Sequence, residues 1–122
     1  MITTHHDGHG LNEQILILPD EPGPGGASHS YEFRYLLPDG LESRVGLLQF
    51  QKGPRNVKGS TPGLTANAVL AAVVHHLRGF QEGDYRNRQT ACAITHIEEA
   101  IHWIKDRADE RAKRGVLGTY EK

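Results

Sequence analysis

The chain has 122 residues, enough for one domain and short for two, because two independent cores would each approach the lower size limit for stable folding. Hydrophobic residues make up 37% of it and charged residues 24%, which predicts a small core enlarged by self-association. Lys and Arg total 14 against 15 Asp and Glu, a net charge of -1 that argues against a partner of polymeric nucleic acid, whose phosphates demand many cations. A small anion held by a few local cations is compatible with that balance. No apolar run is long enough to cross a bilayer, and the opening residues lack a signal-peptide pattern, so no membrane partner is expected. Cys92 is the single cysteine, which excludes an internal disulfide or an all-cysteine metal site and fits a reducing cytoplasm.

In chain order, composition divides the sequence near Leu64. All six prolines and ten of the fourteen glycines precede that point. Residues 1–64 are therefore expected as sheet and loops, and residues 65–122 as helices, within one domain. Ile15 to Leu18 reads as a short strand stopped by Pro19. Tyr31 to Leu37 alternates Tyr31, Phe33 and Tyr35 with Glu32 and Arg34, a period of two typical of a half-buried strand. Pro38-Asp39-Gly40 supplies turn chemistry, and a third strand follows over Glu42 to Phe50. Asp20 to Ser28 is expected as an exposed loop. A second irregular stretch, Lys52 to Gly63, leads into the helices.

Thr65 is a good N-cap for a first helix ending near Gln81. Val69, Leu70, Val73, Val74, Leu77 and Phe80 recur at steps of three and four as one apolar face. A second helix is expected from Arg88 to Arg114, with Ile94, Ile97, Ile101, Ile104 and Ala108 as its packing seam. Gly115 followed by Val116 suits a left-handed C-terminal cap. The short connection predicts an antiparallel hairpin. The fold class is therefore α+β: a small N-terminal antiparallel sheet followed by a C-terminal antiparallel helical hairpin. The second helix outruns the first, so part of its seam needs a partner from another subunit.

Three arginines, Arg107, Arg111 and Arg114, fall on one flank of the second helix beside the apolar seam. Guanidinium forks hold phosphate, whereas the plainer reading has these charges complementing the helix dipole and pairing with Asp106, Asp109 and Glu110. Phe80 and Tyr85 flank the interhelical connection, with Arg86 and Arg88 close behind; a ring beside cations can stack on a nucleobase, or Phe80 can simply end the core. Arg55 lies in a loop within reach of an anion. His5, His6, His9 and Asp7 crowd one Gly-rich stretch without the geometry of a metal site, so no metal is expected. His75 with His76, and His96 with His102, diverge on their helices. Nucleophile elbows and phosphate-binding loops are missing: Lys58-Gly59-Ser60-Thr61 has the residue types in the wrong order. Glu98 and Glu99 diverge and make no acid/base pair, and Cys92 is expected to pack against the first helix. Nothing here points to turnover or to a cofactor.

Leu48-Gln49-Phe50-Gln51-Lys52-Gly53-Pro54 through Gly79-Phe80-Gln81, and Ile97-Glu98-Glu99-Ala100 with Trp103 through Arg107, Arg111, Arg114-Gly115-Val116 and Gly118-Thr119, resemble the phage-encoded anti-Thoeris sponge family. The hairpin of that family is shared with anti-CBASS sponges. The resemblance covers roughly residues 45–122, and the opening residues look like members with a longer N-terminal sheet. It implies a phage protein of the infected host's cytoplasm that sequesters cyclic ADP-ribose isomers without cleaving them. It implies a homodimer or homohexamer with ligand at subunit interfaces, and cyclic di- or trinucleotides as further guests. By position, Phe80 would stack on adenine, Arg107 and Arg111 would contact base or phosphate, and Arg55 would assist. Thr90 stands where many members carry a ligand-contacting Asn, which changes the hydrogen-bonding capacity. Arg86 and Arg88 are candidates for a second ligand site. A messenger hydrolase and a protein-interaction subunit are the alternatives.

Overall fold

The computed structural model describes residues 1–122, Pro24 by its backbone alone. Two units emerge. One comprises Met1–Gly53 with Gly59–Gly63, the other Pro54–Lys58 with Leu64–Lys122.

The first unit is a three-stranded antiparallel sheet in the order β1-β2-β3, with β1 Ile15–Pro19, β2 Ser30–Leu36 and β3 Glu42–Gln49. Pro19 is the last residue of β1 rather than the first beyond it. The register sets Ile15 against Tyr35 and Tyr31 against Leu48, so Tyr31, Phe33 and Tyr35 share a face with Ile15 and Ile17. Tyr31 meets the Phe50 ring edge-on, centroids 5.7 Å apart, and the Tyr35 hydroxyl donates to Gln14 Oε1 at 3.0 Å. On the opposite face Glu32 accepts from Arg34 at 2.7 Å and Arg44 at 3.1 Å, and these partners hold its carboxyl below the ordinary range. The stretch after β1 is tied down: Asp20 Oδ1 accepts the His29 amide at 2.9 Å, and Ser28 Oγ donates to Asp20 O at 2.8 Å. Gly63 is required where it stands, because a Cβ there would lie 2.5 Å from the Phe50 carbonyl carbon.

The second unit is a helical hairpin of α1 (Ala66–Gln81) and α2 (Arg88–Lys113). Each start is capped by a side chain. Thr65 Oγ1 accepts the Ala68 amide at 3.1 Å, and Asn87 Oδ1 accepts the Thr90 amide at 2.7 Å. The end of α2 is a Schellman cap: Val116 N–H donates to Arg111 O, Gly115 N–H donates to Ala112 O, and Gly115 has φ 73°. Val74 of α1 and Ile94 of α2 are 6% and 7% exposed, and they are the only buried hydrophobic side chains among the described residues. Burying such a side chain contributes about 1.5–3 kcal/mol, so this pair makes a slender core.

The wide apolar face expected of α1 is therefore only partly buried. Val73 stays 39% exposed and Phe80 49% exposed. Cys92, expected to pack on α1, is exposed as well. At about 100° per residue it falls well away from the Ile94-centred seam, so its place on the helix explains the difference. No helix is long and apolar enough to cross a membrane.

Candidate functional site

The connection between the helices is closed by one side chain. Gln81 donates through Nε2 to Asn87 O at 2.9 Å and accepts the Asn87 amide through Oε1 at 3.0 Å. Asn87 Nδ2 in turn donates to Tyr85 O at 3.0 Å. This double clasp fixes the end of the hairpin that carries Phe80, Tyr85, Arg86, Arg88 and Thr90. Gln81 and Asn87 are the residues that sequence reasoning missed. The signals available were an amide side chain at the end of α1 and an N-cap residue type just before α2.

Phe80 projects from this end, half exposed, with the His76 ring perpendicular to it at a centroid distance of 5.2 Å. Thr90 is half-buried one turn into α2. Tyr85 is 79% exposed, and Arg86 and Arg88 are exposed without an ion pair among the described residues.

The other cations gather at the opposite end of the hairpin. Arg111 Nη2 donates to Val116 O at 3.0 Å and Thr119 O at 3.2 Å, drawing the tail after α2 back along the helix. Asn56 N–H reaches Gly118 O at 3.4 Å, which brings the segment carrying Arg55 to the same tail. Glu110 pairs with Arg107 at 3.3 Å and with Arg114. Its carboxyl is held below the usual range by the Arg114 hydrogen bond first, with the charges of Arg107 and Arg111 adding to it. Three arginines thus act on one carboxylate: Arg107 is exposed, Arg111 is half-buried, and Arg114 also donates to Lys122 O at 2.8 Å, while Arg55 is exposed on the segment beside the tail. The sequence-based pairing with acids is partly realised: Glu110 takes arginines, while Asp109 pairs with Lys105 at 3.3 Å.

The candidate residues therefore fall into two groups. Thr90 and Arg107 are about 25 Å apart along α2 at roughly 1.5 Å rise per residue, and Arg111 is about 6 Å farther. The antiparallel pairing puts Phe80 at the Thr90 end, as the Gln81–Asn87 clasp shows. A single copy cannot bring Phe80 and Arg111 onto one small molecule.

Both groups nevertheless share one face. At about 100° per residue, Val69, Val73, His76 and Phe80 form a stripe on α1 with steps of four, three and four. Ala100, Ile104, Arg107 and Arg111 form a matching stripe on α2. The two stripes flank the Val74–Ile94 contact on the same side of the hairpin. The ion pair between Arg78 and Glu98, at 2.5 Å, spans the other side. The shared face leaves Val73, Phe80 and Ile104 between 39% and 49% exposed, an apolar strip with an aromatic ring at one end and guanidiniums at the other.

The N-terminal histidines are engaged differently. His5 Nε2 donates to Ile15 O at 2.7 Å, while Asp7 accepts from the His9 amide and Asn12 Nδ2. Among the described residues no group of three or more His, Cys, Asp or Glu is arranged to hold a metal ion.

Two comparisons with known proteins bear on this hairpin. The family model described as Acb2/Tad1, hairpin domain, matches residues 47–108. A protein of Bacillus phage SBSphiJ7 called Thoeris anti-defense 1 is 38% identical over 79 residues, which cover 65% of this chain and 55% of that protein. The chain thus spans about half the length of this curated relative. The matched family segment takes in α1, the interhelical connection, Phe80, Thr90, Arg55 and Arg107, and stops just short of Arg111. On the strength of a match over half its length, carried by the same hairpin, the chain belongs to the Acb2/Tad1 hairpin family.

Proposed function

We propose that this chain is a phage anti-defence protein that sequesters cyclic ADP-ribose-type immune messengers in the cytoplasm of the infected bacterium, without cleaving them. The observation that carries the reading is the placement of Phe80 and the Arg107–Arg111 pair on one hairpin face at opposite ends. A second copy laid antiparallel across that face sets the ring of one subunit against the guanidiniums of the other. The same contact covers Val73 and Ile104, and the slender Val74–Ile94 core favours it.

The ligand chemistry suits such a seam. A cyclic ADP-ribose carries an adenine and a pyrophosphate. Phe80 stacks on the base, Arg107 and Arg111 take the phosphates, and Arg55 closes the cationic side. Thr90, half-buried at the aromatic end, offers one hydroxyll and so tunes which isomer fits. A sponge has to outcompete the messenger's effector, and a nanomolar constant corresponds to about -12 kcal/mol. Exposed arginines alone do not reach that figure, whereas enclosure between subunits removes the screening water. Two such sites per homodimer follow from the two-fold symmetry. A homohexamer built from these dimers provides further interfaces, at which Arg86 and Arg88 take cyclic di- or trinucleotides.

The test is retention. The protein is incubated with each cyclic ADP-ribose isomer, separated from free ligand, heat-denatured, and the released compound analysed by chromatography. Intact ligand is the expected result, with native mass spectrometry reading two ligands per dimer. Failure to retain any isomer overturns the proposal, and recovery of a cleaved product with turnover replaces the sponge with a hydrolase.

A further inference from the structure

The perpendicular contact between His76 and Phe80 has no part in closing the hairpin core, since both side chains lie on its exposed face. We infer that His76 is a positioning residue that holds the Phe80 ring in the orientation from which it stacks on a nucleobase. The inference rests on the messenger-binding reading and adds to it a residue that sets the geometry of the aromatic platform.

Three observations support the assignment. The rings are 5.2 Å apart at 89°, the favoured edge-to-face arrangement for aromatic pairs. They are separated by one helical turn, so the contact forms inside α1 and exists before any ligand arrives. Phe80 is 49% exposed and lies at the C-terminal end of α1, followed by Gln81, so few other neighbours limit its rotamer. A ring left free to rotate pays rotamer entropy when it orders against a base; a ring already buttressed does not.

The contact is separable from folding. Ala is a better helix former than His, so His76→Ala leaves α1 intact. The first measurement needs no ligand: the ring proton shifts of Phe80 in the full-length protein. The His76 ring displaces them from solvent-exposed values, and His76→Ala returns them. The second measurement is retention of a panel of cyclic ADP-ribose isomers. His76→Ala weakens it about two- to tenfold, the worth of one aromatic pair. His76→Phe, which keeps a ring edge at the same place, restores affinity to within about twofold. Unchanged Phe80 shifts in His76→Ala overturn the inference, as does full retention by that variant, or a His76→Phe variant as weak as His76→Ala. Undiminished retention by Phe80→Ala overturns instead the messenger-binding reading beneath it.

Discussion

The two ends of the hairpin solve opposite problems. At the connection end the backbone is locked by Gln81 and Asn87, while Phe80, Tyr85, Arg86 and Arg88 extend into solvent. At the far end the cations are the locked part: Arg111 binds two tail carbonyls, and Arg107 and Arg114 share Glu110. One end offers an aromatic surface on a rigid frame. The other offers charge whose direction is already set by hydrogen bonds. A rigid scaffold beneath an exposed group is the usual way to present a binding residue without an ordering cost at the moment of binding.

Substitutions at the two ends sharpen this contrast. Arg111→Glu has the largest expected effect. It places like charge against phosphate and frees the Val116 and Thr119 carbonyls, so ligand retention falls by about 2–5 kcal/mol in calorimetry. Hydrogen exchange at the Val116 and Thr119 amides rises in the same variant. Phe80→Ala removes a stacking surface worth about 1–3 kcal/mol, leaving tail exchange unchanged. Should both variants loosen the tail, the two ends are not independent and the comparison breaks.

Asn87→Ala removes the cap of α2 and the Nδ2 bond to Tyr85 O while leaving the backbone bonds to Gln81 in place, and denaturant unfolding reads a loss of about 1 kcal/mol. The smallest effect is acid-dependent. The folded pKa of Glu110 lies below its unfolded value. Its contribution is present above the unfolded value and fades as pH falls through the folded one. Glu110→Gln therefore narrows its stability deficit on acidification, as melting temperatures against pH report.

Much of the hairpin was legible because helices announce themselves locally. The three-and-four spacing from Val69 to Phe80, the Thr65 cap and the Gly115-Val116 stop are properties of neighbouring residues. The alternation of Tyr31, Phe33 and Tyr35 gave β2 for the same reason. Exposure was less legible. Val73 and Phe80 carry the periodicity of core yet remain half uncovered, because spacing records which residues share a face and not what lies opposite. Cys92 went wrong in the same way: its type suggests burial, while its position on α2 decides otherwise. The proposed site, Phe80 with Arg55, Arg107 and Arg111, was legible only as a set of residue types. Its division between two ends was not, because it depends on the antiparallel pairing that Gln81 and Asn87 fix.

The Gln81–Asn87 clasp also bears on the order of folding. It joins residues only six apart in sequence, and Arg78 with Glu98 closes a loop of twenty. The nearest β1–β2 pair, Pro19 with Tyr31, is twelve apart, so the clasp closes the shorter loop at the smaller entropy cost and the hairpin is positioned to nucleate ahead of that pairing. Rate measurements on Gln81→Ala would then show slowed folding with little change in unfolding, the kinetic mark of a contact already made in the transition state.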